Sequence, residues 1–170
     1  MNIAFVGFMG AGKTTISRTL ARKTGMREVD TDRYIIRKDG REIAKIFEED
    51  GEPAFRDMET EAIKEIAAGD GQIISCGGGA VLRAENVEAL KSSGTIILLR
   101  AEPETIFARV RRSKARPMLN GHMNVEYITG LMQKREPAYI AAADIEVSTD
   151  GKSPDQIVGE IIEILGLGKI

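Results

Sequence analysis

The sequence predicts an α/β fold, a single parallel sheet covered by helices on both faces and built by one domain spanning residues 1–170. Three observations carry this. Short apolar runs end on glycine or on polar turn residues, as buried strands do. The segments between them place apolar residues three and four apart, the spacing of a helix with one buried face. The length of 170 residues falls inside the roughly 100–200 typical of one domain.

Element by element, residues 2–6 are short and apolar and stop at Gly7, which reads as a strand. Residues 13–24 turn helical, with Ile16 and Leu20 four apart and Gly25 placed as a C-cap. Glu28 and Val29 form a short extended segment. Ile43, Ile46 and Phe47 make a second helical stripe. Phe55, Met58, Ala62, Ile63 and Ile66 make a third, before a Gly69-Asp70-Gly71 turn. Residues 72–76 and 95–99 are further strands, and Ile106, Phe107 and Val110 mark another helix. Residues 123–140 are predicted to be helical as far as about Pro137. Residues 144–148 form the last strand, and Ile157, Val158, Ile161, Ile162 and Leu165 line a closing helix. The stretch 109–123 breaks the texture, with six basic side chains and few apolar ones. It reads as a solvated loop or as a cover over an anionic ligand.

Composition excludes several classes. Lys and Arg number 24 against 26 Asp and Glu, a net charge of −2, which argues against nonspecific nucleic-acid binding and a polybasic membrane surface. No apolar run approaches the roughly 18 residues of a spanning helix. The N-terminus lacks the basic flank of a signal peptide, so a cytoplasmic protein is expected. A lone cysteine, Cys76, excludes an internal disulfide framework.

Gly7-Phe8-Met9-Gly10-Ala11-Gly12-Lys13-Thr14 matches G-x-x-x-x-G-K-[ST] between a strand and a helix. Glycines let successive backbone N–H groups curl around phosphate oxygens, and the helix start adds about half a positive charge. Lys13 can reach the β- and γ-phosphates, and the Thr14 hydroxyl can ligate Mg²⁺. A small GTPase would carry an Asn-Lys-x-Asp motif to read its base, and none is present. A short chain with a basic cover fits a small-molecule kinase better, because phosphoryl transfer must exclude water.

The acceptor side is less specific when each feature is read alone. Asp30 and Asp32 would face one crevice if the backbone stayed extended, one holding Mg²⁺ through water and the other orienting a hydroxyl. A turn or helix cap explains Asp-x-Asp equally well. Arg56 and Glu59 share one helical face, as an ordinary surface pair would. Gly77-Gly78-Gly79 is either a flexible turn or a row of open N–H groups facing an anion. Arg135 near a helix end also suits dipole compensation.

Together these pieces resemble the shikimate kinase family. The phosphate loop, Asp30-Thr31-Asp32, Phe55-Arg56-x-x-Glu59, Gly77-Gly78-Gly79, Arg116-Pro117-Met118-Leu119 and Arg135-Glu136-Pro137-x-Tyr139 occur in the family's order and spacing over residues 3–158. The resemblance implies a five-stranded parallel sheet of the nucleoside-monophosphate-kinase type, strand order 2-3-1-4-5. It also implies a substrate-binding segment at about 31–60 and a lid at about 110–123. The implied reaction moves the γ-phosphoryl group of ATP to the 3-hydroxyl of shikimate, within aromatic amino-acid biosynthesis, with Mg²⁺ as cofactor. By the same resemblance Lys13, Asp32 and Arg116 are catalytic, with Asp32 also binding the shikimate hydroxyls. Gly10, Ala11, Gly12, Lys13, Thr14, Thr15, Arg109, Arg116 and Pro154 would hold ATP, Arg109 flanking the adenine. Arg56, Gly77, Gly78, Gly79 and Arg135 would hold the shikimate carboxylate, and Thr14 and Asp30 the metal ion. The implied partner is shikimate alone, with no nucleic acid and no membrane, and the expected state is a monomer.

The chain departs from the family pattern at Ser17 and Ile36, where a glycine and a glutamate are common, and Met118 replaces the usual leucine. None is expected to touch the reacting groups. His122 reads as a solvated loop residue. Cys76 reads as a small buried side chain whose thiol approaches the substrate if the neighbouring glycines line the cleft.

Overall fold

Alternation along the strands sorts side chains onto two faces of the sheet. In the computed structural model, which describes residues 1–111 and 124–168, the strands are β1 (Asn2–Val6), β2 (Arg27–Asp30), β3 (Gln72–Ser75), β4 (Gly94–Arg100) and β5 (Ile145–Ser148). They form one parallel sheet in the order β2-β3-β1-β4-β5. Ile3 and Phe5 of β1, with Ile97 and Leu99 of β4, face α1 (Lys13–Thr24) and α8 (Pro154–Leu165). Ala4 and Val6, with Ile96 and Leu98, face the other way. There they meet α4 (Glu52–Ala67), α5 (Ala84–Ser93), α6 (Pro103–Val110) and α7 (Val125–Ala142).

A third apolar cluster lies off the sheet. Ile35, Ile46, Phe55 and Ala62 join α2 (Thr31–Asp39), α3 (Ile43–Asp50) and α4 into a small packed unit within residues 31–67. Arg41 ties this unit together with ion pairs to Asp39, Glu49 and Asp50.

Two readings of the sequence need correction. Helix α2 replaces the extended backbone expected beyond Asp30, because the Asp30 carboxylate caps its first turn and accepts the Arg33 N–H at 3.1 Å. Helix α7 runs through Pro137 rather than ending there. Proline removes one helical donor, but Tyr139 and Ala142 beyond it are buried in the core, and that packing holds the last turn. Helix α5 carried too few apolar residues to be read from the sequence, burying only Asn86 and Leu90. The lid expected at 110–123 lies, beyond Arg111, outside the described residues, and with it Arg116, Met118 and His122. Among the described residues no helix is long and apolar enough to cross a membrane.

The carboxyl ends of β1, β2 and β3 deliver the phosphate loop, Asp30 and the three glycines to one edge of the sheet. There β1 lies between β3 and β4, so the connections on its two sides diverge and leave a crevice.

Candidate active site

The phosphate loop is built by two left-handed glycines, Gly10 (φ 80°) and Gly12 (φ 98°). Gly12 caps α1 without any side chain over the first-turn N–H groups, which leaves them available to an anion. A Cβ on Gly10 would come within 2.8 Å of Val110 Cγ1, so the loop packs against α6. The Lys13 ammonium folds over the loop, donating to the carbonyls of Gly7 (2.6 Å) and Phe8 (3.0 Å). Arg109 closes the mouth, its Nη1 donating to the Gly10 carbonyl at 2.9 Å and the Thr149 hydroxyl at 3.4 Å. Pro154 opens α8 just beyond the loop that Arg109 reaches. Ser17 is fully buried and returns its hydroxyl to the Lys13 carbonyl at 2.6 Å, so this departure from the family pattern is absorbed inside α1.

A cleft of about 340 Å³ gathers this loop with the acceptor side, and Lys13, Thr14, Asp30, Asp32, Gly77 and Gly78 line it. Thr14 and Asp30, the two expected metal-holding groups, line this cleft together. Burial pushes the Asp30 carboxyl above its ordinary range, opposed by the Asp32 N–H, by Lys13 and Arg18, and by the Thr14 hydroxyl. Both aspartates reach one cleft as expected, Asp30 from the end of β2, where it caps α2, and Asp32 from the first helical turn rather than from extended backbone. The cap alternative and the functional one therefore describe the same residues.

Charged side chains approach the three glycines closely, most tightly at Gly77 and Gly79. A Cβ on Gly77 would stand 3.0 Å from both Asp32 Oδ1 and Glu59 Oε2. A Cβ on Gly78 would stand 3.4 Å from Arg135 Nη1, and one on Gly79 would overlap the Arg56 guanidinium. Four charged side chains thus crowd one stretch of bare backbone. Gly77 donates its N–H to the Thr31 hydroxyl at 3.0 Å, so its amide is already taken. Among the described residues no acceptor meets the N–H groups of Gly78 and Gly79.

The two arginines differ. Arg56 pairs with Glu59 at 2.9 Å and Glu52 at 3.2 Å. The Arg56–Glu59 contact is no surface pair, because Glu59 is 1% exposed and its Oε2 has no partner among the described residues. Burial raises the Glu59 carboxyl above its ordinary value, opposed by Arg56. Arg135, 5% exposed, lies over the Phe8 ring (5.9 Å), and among the described residues no carboxylate forms an ion pair with it. A buried guanidinium without a counter-charge is costly unless an anion completes it. Sequence reasoning missed Thr31, which fixes Gly77, and Tyr139, whose hydroxyl donates to the Gly78 carbonyl at 2.5 Å. The signal for Tyr139 was its place four residues after Arg135, on the same helical face.

Cys76 is 2% exposed, and burial beside Glu59 pushes its thiol up, so it is a packed side chain rather than a reactive one. A larger cavity of about 520 Å³ lies between α7 and the β4–α6 connection, lined by Met132, Glu136 and Ile106 among others; the first-turn residues of α1 do not line it.

Comparison with known proteins agrees with this geometry. The family model described as shikimate kinase matches residues 9–166. A shikimate kinase of Symbiobacterium thermophilum is 46% identical over 167 residues, covering 97% of this chain and 96% of its own. One of Thermodesulfovibrio yellowstonii is 43% identical, with 95% and 93% covered. The solved shikimate kinase of Acinetobacter baumannii in complex with shikimate superposes with a TM-score of 0.92 at 35% identity, covering 96% of this chain and 92% of that one. A phosphate loop, a paired-aspartate cleft and a glycine row ringed by arginines, together with these matches over nearly the full length, establish that this chain belongs to the shikimate kinase family.

Proposed function

We propose that this chain transfers the γ-phosphoryl group of ATP to the 3-hydroxyl of shikimate, releasing ADP and shikimate 3-phosphate. The observation that carries the reading is Arg135, a buried cation with no ion pair among the described residues, beside the open amides of Gly78 and Gly79 at the edge of the phosphate-loop cleft. A carboxylate supplies an ion-pair partner and the acceptors together. It also anchors a polyhydroxylated ring with its hydroxyls near Asp32.

The first-turn amides of α1 and Lys13 hold the β- and γ-phosphates and meet the charge that develops on transfer. Asp32 orients the attacking hydroxyl and accepts its proton. Arg56 and Arg135 fix the acid, which places the hydroxyl in line with the γ-phosphorus. Arg109 flanks the nucleotide base, and Arg116 joins from the basic stretch that follows α6. Thr14 and Asp30, hydroxyl beside carboxylate, suit Mg²⁺, which takes few protein ligands and completes its shell with phosphates and water. When bound, the ion neutralises charge on the phosphate oxygens.

The test is ADP release from MgATP with shikimate, with gluconate, or with neither. Shikimate alone should support turnover. Equal ADP release in all three arms, or a preference for gluconate, would overturn the reading.

A further inference from the structure

Helix α7 presents two side chains to the glycine row, and the function above uses one. Arg135 is the proposed clamp. Tyr139, one turn on, is 5% exposed and donates its hydroxyl to the Gly78 carbonyl at 2.5 Å. The 78–79 peptide is trans, so the Gly79 N–H points opposite to the carbonyl that Tyr139 holds. Fixing the Gly78 oxygen therefore fixes the direction of a proposed carboxylate donor. The carbonyls on either side are committed elsewhere, Gly77 to the Ala80 N–H and Gly79 to the Leu82 N–H, both at 3.1 Å. Gly78 is thus the link of the row tied to α7. Its α-carbon also lies against Arg135 and the backbone of the phosphate loop, where a Cβ would be 3.6 Å from the Met9 nitrogen.

We infer that Tyr139 is a positioning residue for the acceptor site, its hydroxyl aligning the Gly78–Gly79 peptide with the Arg135 guanidinium so that both donors meet one carboxylate. The inference rests on the proposed carboxylate site and adds the group that orients it. A glycine peptide has little to resist rotation on its own, and a planar anion rewards donors held in fixed directions. The Arg135 charge also acts on the Tyr139 oxygen, so one hydroxyl sits beside both halves of the clamp. Burial raises the phenol's pKa, which keeps it a donor in neutral solution.

The experiment is Tyr139→Phe, which keeps the ring in the core and removes one oxygen. KM for shikimate should rise roughly 5- to 50-fold, as expected when one of two carboxylate donors loses its alignment. KM for MgATP should stay within about twofold and the melting temperature should fall by only a few degrees, the cost of one buried carbonyl left unpaired. In ¹⁵N-labelled protein the Gly79 amide should shift, since its peptide carbonyl loses a donor. An unchanged KM for shikimate overturns the inference. So does a rise in both KM values with a large fall in melting temperature, which marks a merely structural residue. If the parent protein does not turn over shikimate, the functional reading fails by itself, and an unmoved Gly79 amide would still refute the tether.

Discussion

Single side chains in the cleft divide by when their charge is needed. On the proposed function Lys13 meets charge that grows during transfer, so Lys13→Met should depress kcat roughly 100- to 1,000-fold while leaving KM for shikimate near that of the parent. Steady-state kinetics would show this directly, and a change confined to KM would contradict it. Cys76 makes the opposite case. Burial leaves its thiol protonated and covered, so iodoacetamide at mildly alkaline pH should label the folded protein no faster than it opens. Mass spectrometry of native and urea-unfolded samples checks it. Glu59 ties charge to stability. Its folded pKa lies above the ordinary 4.5, so its contribution is full below that value and is lost as pH climbs through the folded pKa. Glu59→Gln removes this dependence, and with it the part of the Arg56 interaction that depends on ionisation, so the difference between the two proteins varies with pH only through the parent. Urea unfolding should therefore show the variant gaining on the parent from pH 4.5 upward, and a difference independent of pH would refute the assignment.

Among the elements, those with strong periodicity or glycine punctuation were legible in the sequence, and α1 was read from Lys13 to its Gly25 cap. The unit of α2, α3 and α4 was less so. Tyr34, Ile35 and Ile36 are consecutive, so α2 has no spaced stripe, and its start is written in the Asp30 cap instead. The importance of that unit is that it carries Asp32 and Arg56 on a core of its own. Ile46 is fully buried in that core, and Ile46→Ala should cost about 2–5 kcal/mol, read by urea unfolding. The same change should raise KM for shikimate more than KM for MgATP, because the phosphate loop rests on other packing, Ala11 in the core shared by β1, α1 and α8 and Phe8 and Gly10 against α6. Equal changes in both would mean that the two cores move as one. The site residues show the same division. The phosphate loop was legible because one contiguous motif carries its whole chemistry. The Arg56–Glu59 pair was read, but its burial and the absence of an Arg135 ion pair among the described residues were not, since burial depends on elements distant in the chain.

For the whole molecule, the parallel sheet brings three strand ends to one edge, and the chemistry follows from what each end delivers. β1 brings the phosphate cradle, β2 the capping aspartate and its neighbour, and β3 the bare backbone that four charged side chains surround. The helices α4 and α7 then supply one arginine each, Arg56 in an ion pair and Arg135 in none among the described residues. On the proposed function the arrangement amounts to an anion site for a donor and an anion site for an acceptor, held next to each other. Comparing shikimate with its uncharged methyl ester, in the parent and in Arg135→Met, isolates the second of these. The ester should have a KM roughly 10- to 100-fold higher in the parent, as expected for losing one charge-assisted bond, and the variant should distinguish acid from ester clearly less than the parent does, Arg56 being left. An ester used as well as the acid by the parent protein would contradict a carboxylate held at Arg135, and with it the reading of this cleft.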